Sequence, residues 1–323
     1  MPISVVFLGS PPFAVPSLQA LAADPRFTIR LVVTQPDRPA GRGRKPRPPA
    51  VKEAAEALGL PVYQPETLRD PAAVDLLASP RADLFIVVAY GEILRQAVLD
   101  LPRHGCLNVH PSLLPRYRGS APVQAAILNG DAETGVSIIK LIRRMDAGPI
   151  LAQRRVPLDG TETAGSLSET LAAVAAAMLP DVAARWVAGE ITPTPQDEAA
   201  ATYTREITVA DGRIDWSRQA AAIERLVRAM QPWPRAWTVL AGRRLAVLDC
   251  DISQGASTDP PGTINLGNRP PTVATGSTDL ILLRVQPEGR REMAAEDWAR
   301  GLRLPPGARF EPPEREGDDR GGA

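Results

Sequence analysis

Apolar residues fall alternately into short unbroken runs and into spaced, one-sided patterns along the first two thirds of the chain. The first run, ISVVFLG, ends at Gly9 and is followed by SPPFAVPSLQALAA, whose apolar positions return at helical intervals, so the chain opens as strand, turn and helix. FTIRLVVT repeats the strand pattern. VKEAAEALGL predicts a helix closing at Gly59. ADLFIVVAYG predicts a buried strand over Leu84 to Ala89, with GCLNVH as the next. Strands that alternate with helices imply a parallel sheet with right-handed crossovers, so an α/β, doubly wound domain is expected. Two more strands, GVSIIKLI and PILAQRRVPL, and a long amphipathic helix ending at Gly189 complete a first domain over residues 1–189.

Periodicity is then lost. ITPTPQDEAAATYTRE gathers Pro and Thr, and residues 190–205 are expected to be a linker. From residue 206 one helix is followed by short alternating strands with Gly turns, PGTINL, PTVATGS and DLILLRVQP among them, which predicts a small β-barrel over 206–310. Trp233 and Trp237 of PWPRAW are expected in its core or in packing between domains, the alternative being a platform on which bases stack. Residues 311–323, rich in Pro, Gly and charge, are expected to be a disordered tail.

The densest chemistry lies in LNVHPSLLPRYRGSAP, residues Leu107 to Pro122, where an apolar run ends in Asn-x-His and a loop punctuated by Pro and Gly. Asn108 and His110 are two apart, so on a strand both side chains leave the same face. At the carboxyl end of such a strand, where ligands of doubly wound sheets bind, they enter one crevice. The spacing by itself also fits a structural hydrogen-bonded pair, and Asp146, before Ala-Gly-Pro, also fits a turn residue.

Taken together, Asn108, His110, the SLLP loop, the RG step and Asp146 in MDAGP resemble the signature of the folate-dependent formyltransferases. The resemblance runs from FLGSPPFAVPSL to PEGRREMAAEDW, nearly the whole chain. It implies a Rossmann-like catalytic domain followed by an OB-like barrel that binds tRNA, with 10-formyltetrahydrofolate as formyl donor and no metal. The implied chemistry suits the residue types. An amine attacks the formyl carbon, charge collects on the formyl oxygen, and the folate nitrogen leaves with a proton. Asn108 is expected to donate to that oxygen. His110 is expected to act as acid or electrostatic stabiliser, an imidazole having a reference pKa of about 6.5. Asp146 is expected to orient the ring and accept the proton that the amine sheds. The family's folate contacts carry over to Val88, Ala89, Tyr90, Gly91, Ser112, Leu113, Leu114 and Pro115. The opening Gly9-Ser10-Pro11-Pro12 is not the GxGxxG of a dinucleotide site, so no nicotinamide cofactor is expected.

Within the family the chain resembles most the branch that formylates methionine on initiator tRNA. The discriminating segment is TQPDRPAGRGRKPRPPAVKEAA, in which Arg38, Arg42, Arg44, Lys45 and Arg47 follow one another with no acid among them. Taken alone, this run also fits a solvated loop, its Gly and Pro residues denying it regular structure. A flexible basic loop suits phosphate binding, and the resemblance places these five residues against tRNA, with Arg42 of AGRG making the critical contact. Pro111 is a departure, since some tRNA-branch members have a small residue there. The alternatives are a formyltransferase acting on an amino sugar nucleotide and, in a different class, a non-catalytic tRNA-binding protein.

Lys plus Arg and Asp plus Glu both number 37, so any nucleic-acid affinity must come from local patches and not from a global field. Cys106 and Cys250 stand far apart without neighbouring metal ligands and are expected to be buried free thiols in a reducing cytoplasm. No basic segment precedes the first apolar run, and no stretch approaches the roughly 18 to 20 apolar residues of a membrane span. A cytoplasmic monomer is expected.

Overall fold

The computed structural model describes residues 1–40 and 45–313 of the 323-residue chain. Its contacts form two units, one of Met1–Pro122, Ala132–Leu158 and Ser166–Arg205, the other of Val123–Asp131, Asp159–Gly165 and the described part of Glu206–Ala323.

In chain order the first part contains β1 (Ile3–Gly9), α1 (Val15–Ala23), β2 (Phe27–Val33), β3 (Arg38–Ala40), β4 (Lys45–Arg47), α2 (Ala50–Ala57), β5 (Val62–Tyr63), α3 (Pro71–Ala78), β6 (Leu84–Val88), α4 (Gln96–Leu99) and β7 (Cys106–His110). Then come β8 (Arg118–Gly119), α5 (Pro122–Asn129), β9 (Glu133–Lys140), β10 (Ile150–Pro157), α6 (Ala164–Val187) and β11 (Tyr203–Thr204). Seven strands build the main sheet in the order β10-β9-β7-β6-β1-β2-β5. Val5 to Leu8 of β1 and Leu84, Ile86 and Val88 of β6 are fully buried, as unbroken apolar runs require when helices cover both faces. α3 starts cleanly because the Asp70 side chain accepts from the Ala72 N–H and Pro71 occupies the first turn.

The five strands from β7 to β5 are parallel, as the alternation implied. β9 runs antiparallel to both its neighbours, β7 and β10, which corrects the expectation of a wholly parallel sheet. Only a loop without a helix joins β9 to β10, and such a link returns the chain antiparallel. From β1 the strands step outward to β2 and β5, then restart at β6 on β1's other side, so the order reverses between β1 and β6. The carboxyl ends of these two strands and of β7 flank the crevice where doubly wound sheets hold ligands.

By length and composition α6 is apolar enough to cross a membrane, contrary to the expectation from sequence. Its buried residues Leu167, Leu171, Ala175, Leu179 and Ala183 recur every four positions, which is the stripe of a core helix. Residues 190–205, expected as a linker, cluster with the first unit. β11 within them pairs in parallel with β8, and Thr194 bridges Ile150. Polar and backbone bonding holds this segment, and hydrophobic periodicity carries no trace of such bonds.

The second unit contains all of α5 but Pro122, then α7 (Ala220–Ala229), β12 (Ala236–Leu240), β13 (Arg243–Ile252), β14 (Ile264–Asn265), β15 (Thr272–Val273), β16 (Leu280–Pro287), β17 (Met293–Ala294) and α8 (Ala295–Arg300). Its sheet is antiparallel in the order β12-β13-β16-β15-β14, with β17 on β16, and α7 packs on β13. Phe310 stacks against both Trp216 and Trp298. Beyond it, Glu311 is bound to Val239 and Gly242, so the first residues of the expected tail belong to the fold, while residues 314–323 lie outside the described residues. Trp233 is 57% exposed, and Trp237 is only part-buried between the guanidinium groups of Arg213 and Arg244, which corrects the expectation of core packing for the pair.

Candidate active site

β7 places Asn108 and His110 on one face of the sheet, His110 at the strand's carboxyl end. The loop between β9 and β10 folds back so that Asp146 reaches both. Asp146 Oδ1 accepts from Asn108 Nδ2 at 3.3 Å, and Oδ2 lies 3.7 Å from His110 Nδ1. His110 is 4% exposed. The main-chain N–H of Gly119 donates to Asp146 Oδ2 at 2.9 Å. One carboxylate is thus shared by an amide, an imidazole and a backbone donor.

The imidazole is oriented by a group that sequence did not single out. Its Nε2 lies 2.8 Å from the Tyr117 carbonyl oxygen. A carbonyl can only accept, so Nε2 carries the hydrogen and Nδ1, facing Asp146, is the nitrogen left for proton transfer. Asp146 therefore faces the ring's working edge while Tyr117 sets its tautomer.

The backbone around Asp146 is unusual for its sequence. Asp146 itself has φ +47°, a left-handed conformation that costs a non-glycine residue on the order of 1–3 kcal/mol. At Gly148 a Cβ would fall 1.7 Å from the Lys140 carbonyl oxygen, so the turn closes only with glycine there. Gln196 holds this turn, its Nε2 donating to the carbonyl oxygens of Asp146 and Gly148 at 2.7 Å each. Gln196 Oε1 in turn accepts from Arg118 Nε and Nη2, at 3.1 and 2.8 Å. Arg118 is completely buried and also bonds Glu198 and Tyr203. Those bonds hold the Glu198 carboxyl below its ordinary range and raise the guanidinium further. Gly119 has φ +103°, and a Cβ there would strike the Thr204 carbonyl oxygen at 2.2 Å. The RG step lets β11 lie against β8 beside the site.

The SLLP loop is fixed from below by β9 and β10. Ser137 Oγ donates to the Ser112 carbonyl and accepts from the Leu114 N–H, while Gln153 Nε2 donates to the Leu114 carbonyl and to Ser137 Oγ. Ser112 spends its own hydroxyl on the Arg116 carbonyl. Of the eight residues expected at the folate, Val88, Tyr90, Ser112 and Leu114 are buried. Ala89 and Gly91 are exposed, and Leu113 and Pro115 are part-buried. Tyr117, Gln196, Ser137 and Gln153 all act through hydrogen bonds between residues distant in the chain or to main-chain groups, which composition and spacing do not reveal.

Of the basic segment, expected from its Gly and Pro residues to lack regular structure, the described residues include two short strands. β3 and β4 form an antiparallel pair in which Arg38 stands opposite Arg47, and Ala40 opposite Lys45. Both arginines are exposed, and like charges directly opposite on a ladder repel. Arg42 and Arg44 lie outside the described residues.

Residues 3–183 match the family model for formyl transferase, and residues 206–303 match that for the formyl transferase C-terminal domain. The chain belongs to the formyl transferase family. A methionyl-tRNA formyltransferase of Roseiflexus sp. (strain RS-1) is 52% identical over 311 residues, covering 96% of each chain. Another, from Methylococcus capsulatus, is 45% identical over 294 residues, 91% of this chain and 95% of that one. Among solved structures, an N-formyltransferase from Helicobacter canadensis in complex with folinic acid and dTDP-3-aminofucose has a TM-score of 0.65 at 15% identity, covering 87% of this chain and 99% of that one. HypX from Aquifex aeolicus in complex with tetrahydrofolic acid has a TM-score of 0.60 at 16% identity, covering 91% of this chain and 46% of that one. These two share the formyl transferase fold.

Proposed function

We propose that the chain transfers the formyl group of 10-formyltetrahydrofolate to the free amino group of methionyl initiator tRNA, the step that prepares this tRNA for translation initiation. The observation that carries the proposal is the convergence of Asn108, His110 and Asp146 at the carboxyl end of β7, in a formyl transferase whose relatives named methionyl-tRNA formyltransferase match it along nearly its whole length.

The amine nitrogen attacks the formyl carbon, and the carbonyl electron pair moves onto the formyl oxygen. Asn108 spends one Nδ2 hydrogen on Asp146 and has a second for that oxygen. Collapse breaks the bond from carbon to the folate nitrogen, which leaves with a proton, and the amine nitrogen loses one. His110 Nδ1 and the Asp146 carboxylate, 3.7 Å apart, are the two groups placed to carry those protons. The crevice backbone at residues 88–91 and 112–115 holds the folate. Arg38, Arg42, Arg44, Lys45 and Arg47 hold tRNA phosphates, with Arg42 anchoring the acceptor end. The enzyme works in the cytoplasm, where charged tRNA is found, and as a monomer, for which light scattering should give a mass near 34.5 kDa.

The direct test is incubation with 10-formyltetrahydrofolate and either charged initiator tRNA or amino sugar nucleotides. Formyl-methionine on the tRNA is the expected product. Transfer to the sugar amine alone would replace this function with the sugar-nucleotide one, and no transfer to either acceptor would leave a non-catalytic tRNA-binding protein.

A further inference from the structure

We propose that Gln196 is a positioning residue for Asp146 and that buried Arg118 sets the direction of its amide, a role that rests on the formyl-transfer function above. The four contacts of the Gln196 amide admit one orientation. The carbonyl oxygens of Asp146 and Gly148 can only accept, and the Arg118 guanidinium can only donate. With Nε2 toward the carbonyls and Oε1 toward Arg118, all four bonds form. Turned over, the amide would set oxygen against two carbonyl oxygens and nitrogen against two donors. Arg118 therefore acts as a key that makes Gln196 a donor on its other side.

What Gln196 holds is a left-handed turn, a conformation less favourable for aspartate than for glycine. The left-handed backbone at Asp146 aims the carboxylate back at Asn108 and His110, and Gln196 ties both carbonyls of that turn to one side chain. The same strand of contacts reaches the carboxylate from a second side. Gly119, which donates to Asp146 Oδ2, directly follows Arg118, and the Arg118 carbonyl accepts from Thr204 Oγ1 in the segment that carries Gln196. A main-chain displacement of about 1 Å in an active site can cost roughly a hundredfold in rate, so a device holding this turn acts on turnover without touching substrate.

The test uses full-length Gln196→Glu, which keeps an acceptor for Arg118 but sets carboxylate oxygen against the two carbonyls. We expect kcat for formyl transfer to fall by about ten- to a hundredfold, with KM for 10-formyltetrahydrofolate within about threefold of wild type and the circular dichroism spectrum unchanged. The decisive measurement is the double variant with Asp146→Asn. If Gln196 works through Asp146, adding Gln196→Glu should cost less than about twofold beyond Asp146→Asn alone, whereas a merely structural role would multiply the two losses. Multiplied losses, or a kcat for Gln196→Glu within about twofold of wild type, would overturn the proposal. Should Gln196→Glu fail to fold, Gln196→Asn withdraws the amide by one methylene and is judged by the same cycle. A wild-type enzyme that formylates an amino sugar nucleotide but not charged tRNA would overturn the proposed acceptor alone, and the cycle would then be measured with that sugar.

Discussion

Replacing Asp146 by asparagine tests the centre of the site, and the structure says why this near-isosteric change is not conservative. The carboxylate accepts on both oxygens, from Asn108 Nδ2 on one and from the Gly119 N–H on the other. An asparagine offers one acceptor and one donor, so in either orientation a donor faces a donor. The backbone donor of Gly119 cannot turn, which leaves Asn108 to rotate and withdraw its Nδ2 from the formyl oxygen. The lost charge adds to this. Opposite unit charges 3.7 Å apart attract by about 4.5 kcal/mol at an effective dielectric near 20. Even two thirds of that, about 3 kcal/mol, is roughly a hundredfold in rate. Steady-state formylation of charged initiator tRNA should show kcat of Asp146→Asn down by about a hundredfold or more with KM for the folate donor nearly unchanged. A variant with kcat within about tenfold of wild type, or one in which only KM rises, would refute the argued role of the charge.

His110→Ala and Asn108→Ala should each lose kcat by roughly a hundredfold or more while equilibrium dialysis shows folate binding intact, because both act on developing charge; near-normal turnover in either would remove it from the mechanism. Arg47→Gln should reduce the slope of log tRNA affinity against log salt by about one unit, and Arg42→Ala should impair tRNA formylation more severely while sparing folate affinity; an unchanged slope and unchanged tRNA kinetics would make the segment a solvated insertion. Asp83 accepts from the N–H and hydroxyl of Ser4, tying β6 to β1, and those bonds lower its carboxyl pKa in the fold. Its contribution is therefore complete above the unfolded value of about 3.9 and is lost as pH falls through the lower native one. Asp83→Asn should unfold a few degrees below wild type at pH 7, for a loss of about 1–2 kcal/mol, and calorimetry should show the gap closing below about pH 4. A gap that does not change with pH would refute the linkage.

The amino-acid sequence by itself determined the strands β1, β2, β6, β7, β9 and β10 and the helices α1, α2 and α6 of the first domain, the family, and the three residues that meet at the end of β7. Apolar runs, helical spacing and turn residues are local, and Asn-x-His on a strand fixes a shared face before any partner is known. Tertiary structure alone decided which nitrogen of His110 faces Asp146, because the deciding carbonyl belongs to Tyr117 in a loop without periodicity. It also decided that β9 and β10 run antiparallel, and that residues 190–205 are part of the catalytic unit. Gln196 lies 50 residues beyond Asp146 and 78 beyond Arg118, and its two hydrogen-bonding ends have no expression in hydrophobic pattern. A Pro- and Thr-rich segment of low apolar content has the composition of a linker whether or not its polar groups find partners. Those partners exist only once β7, β8 and β9 have folded, since a hydrogen bond depends on where two atoms come to lie and not on how far apart they stand in the chain.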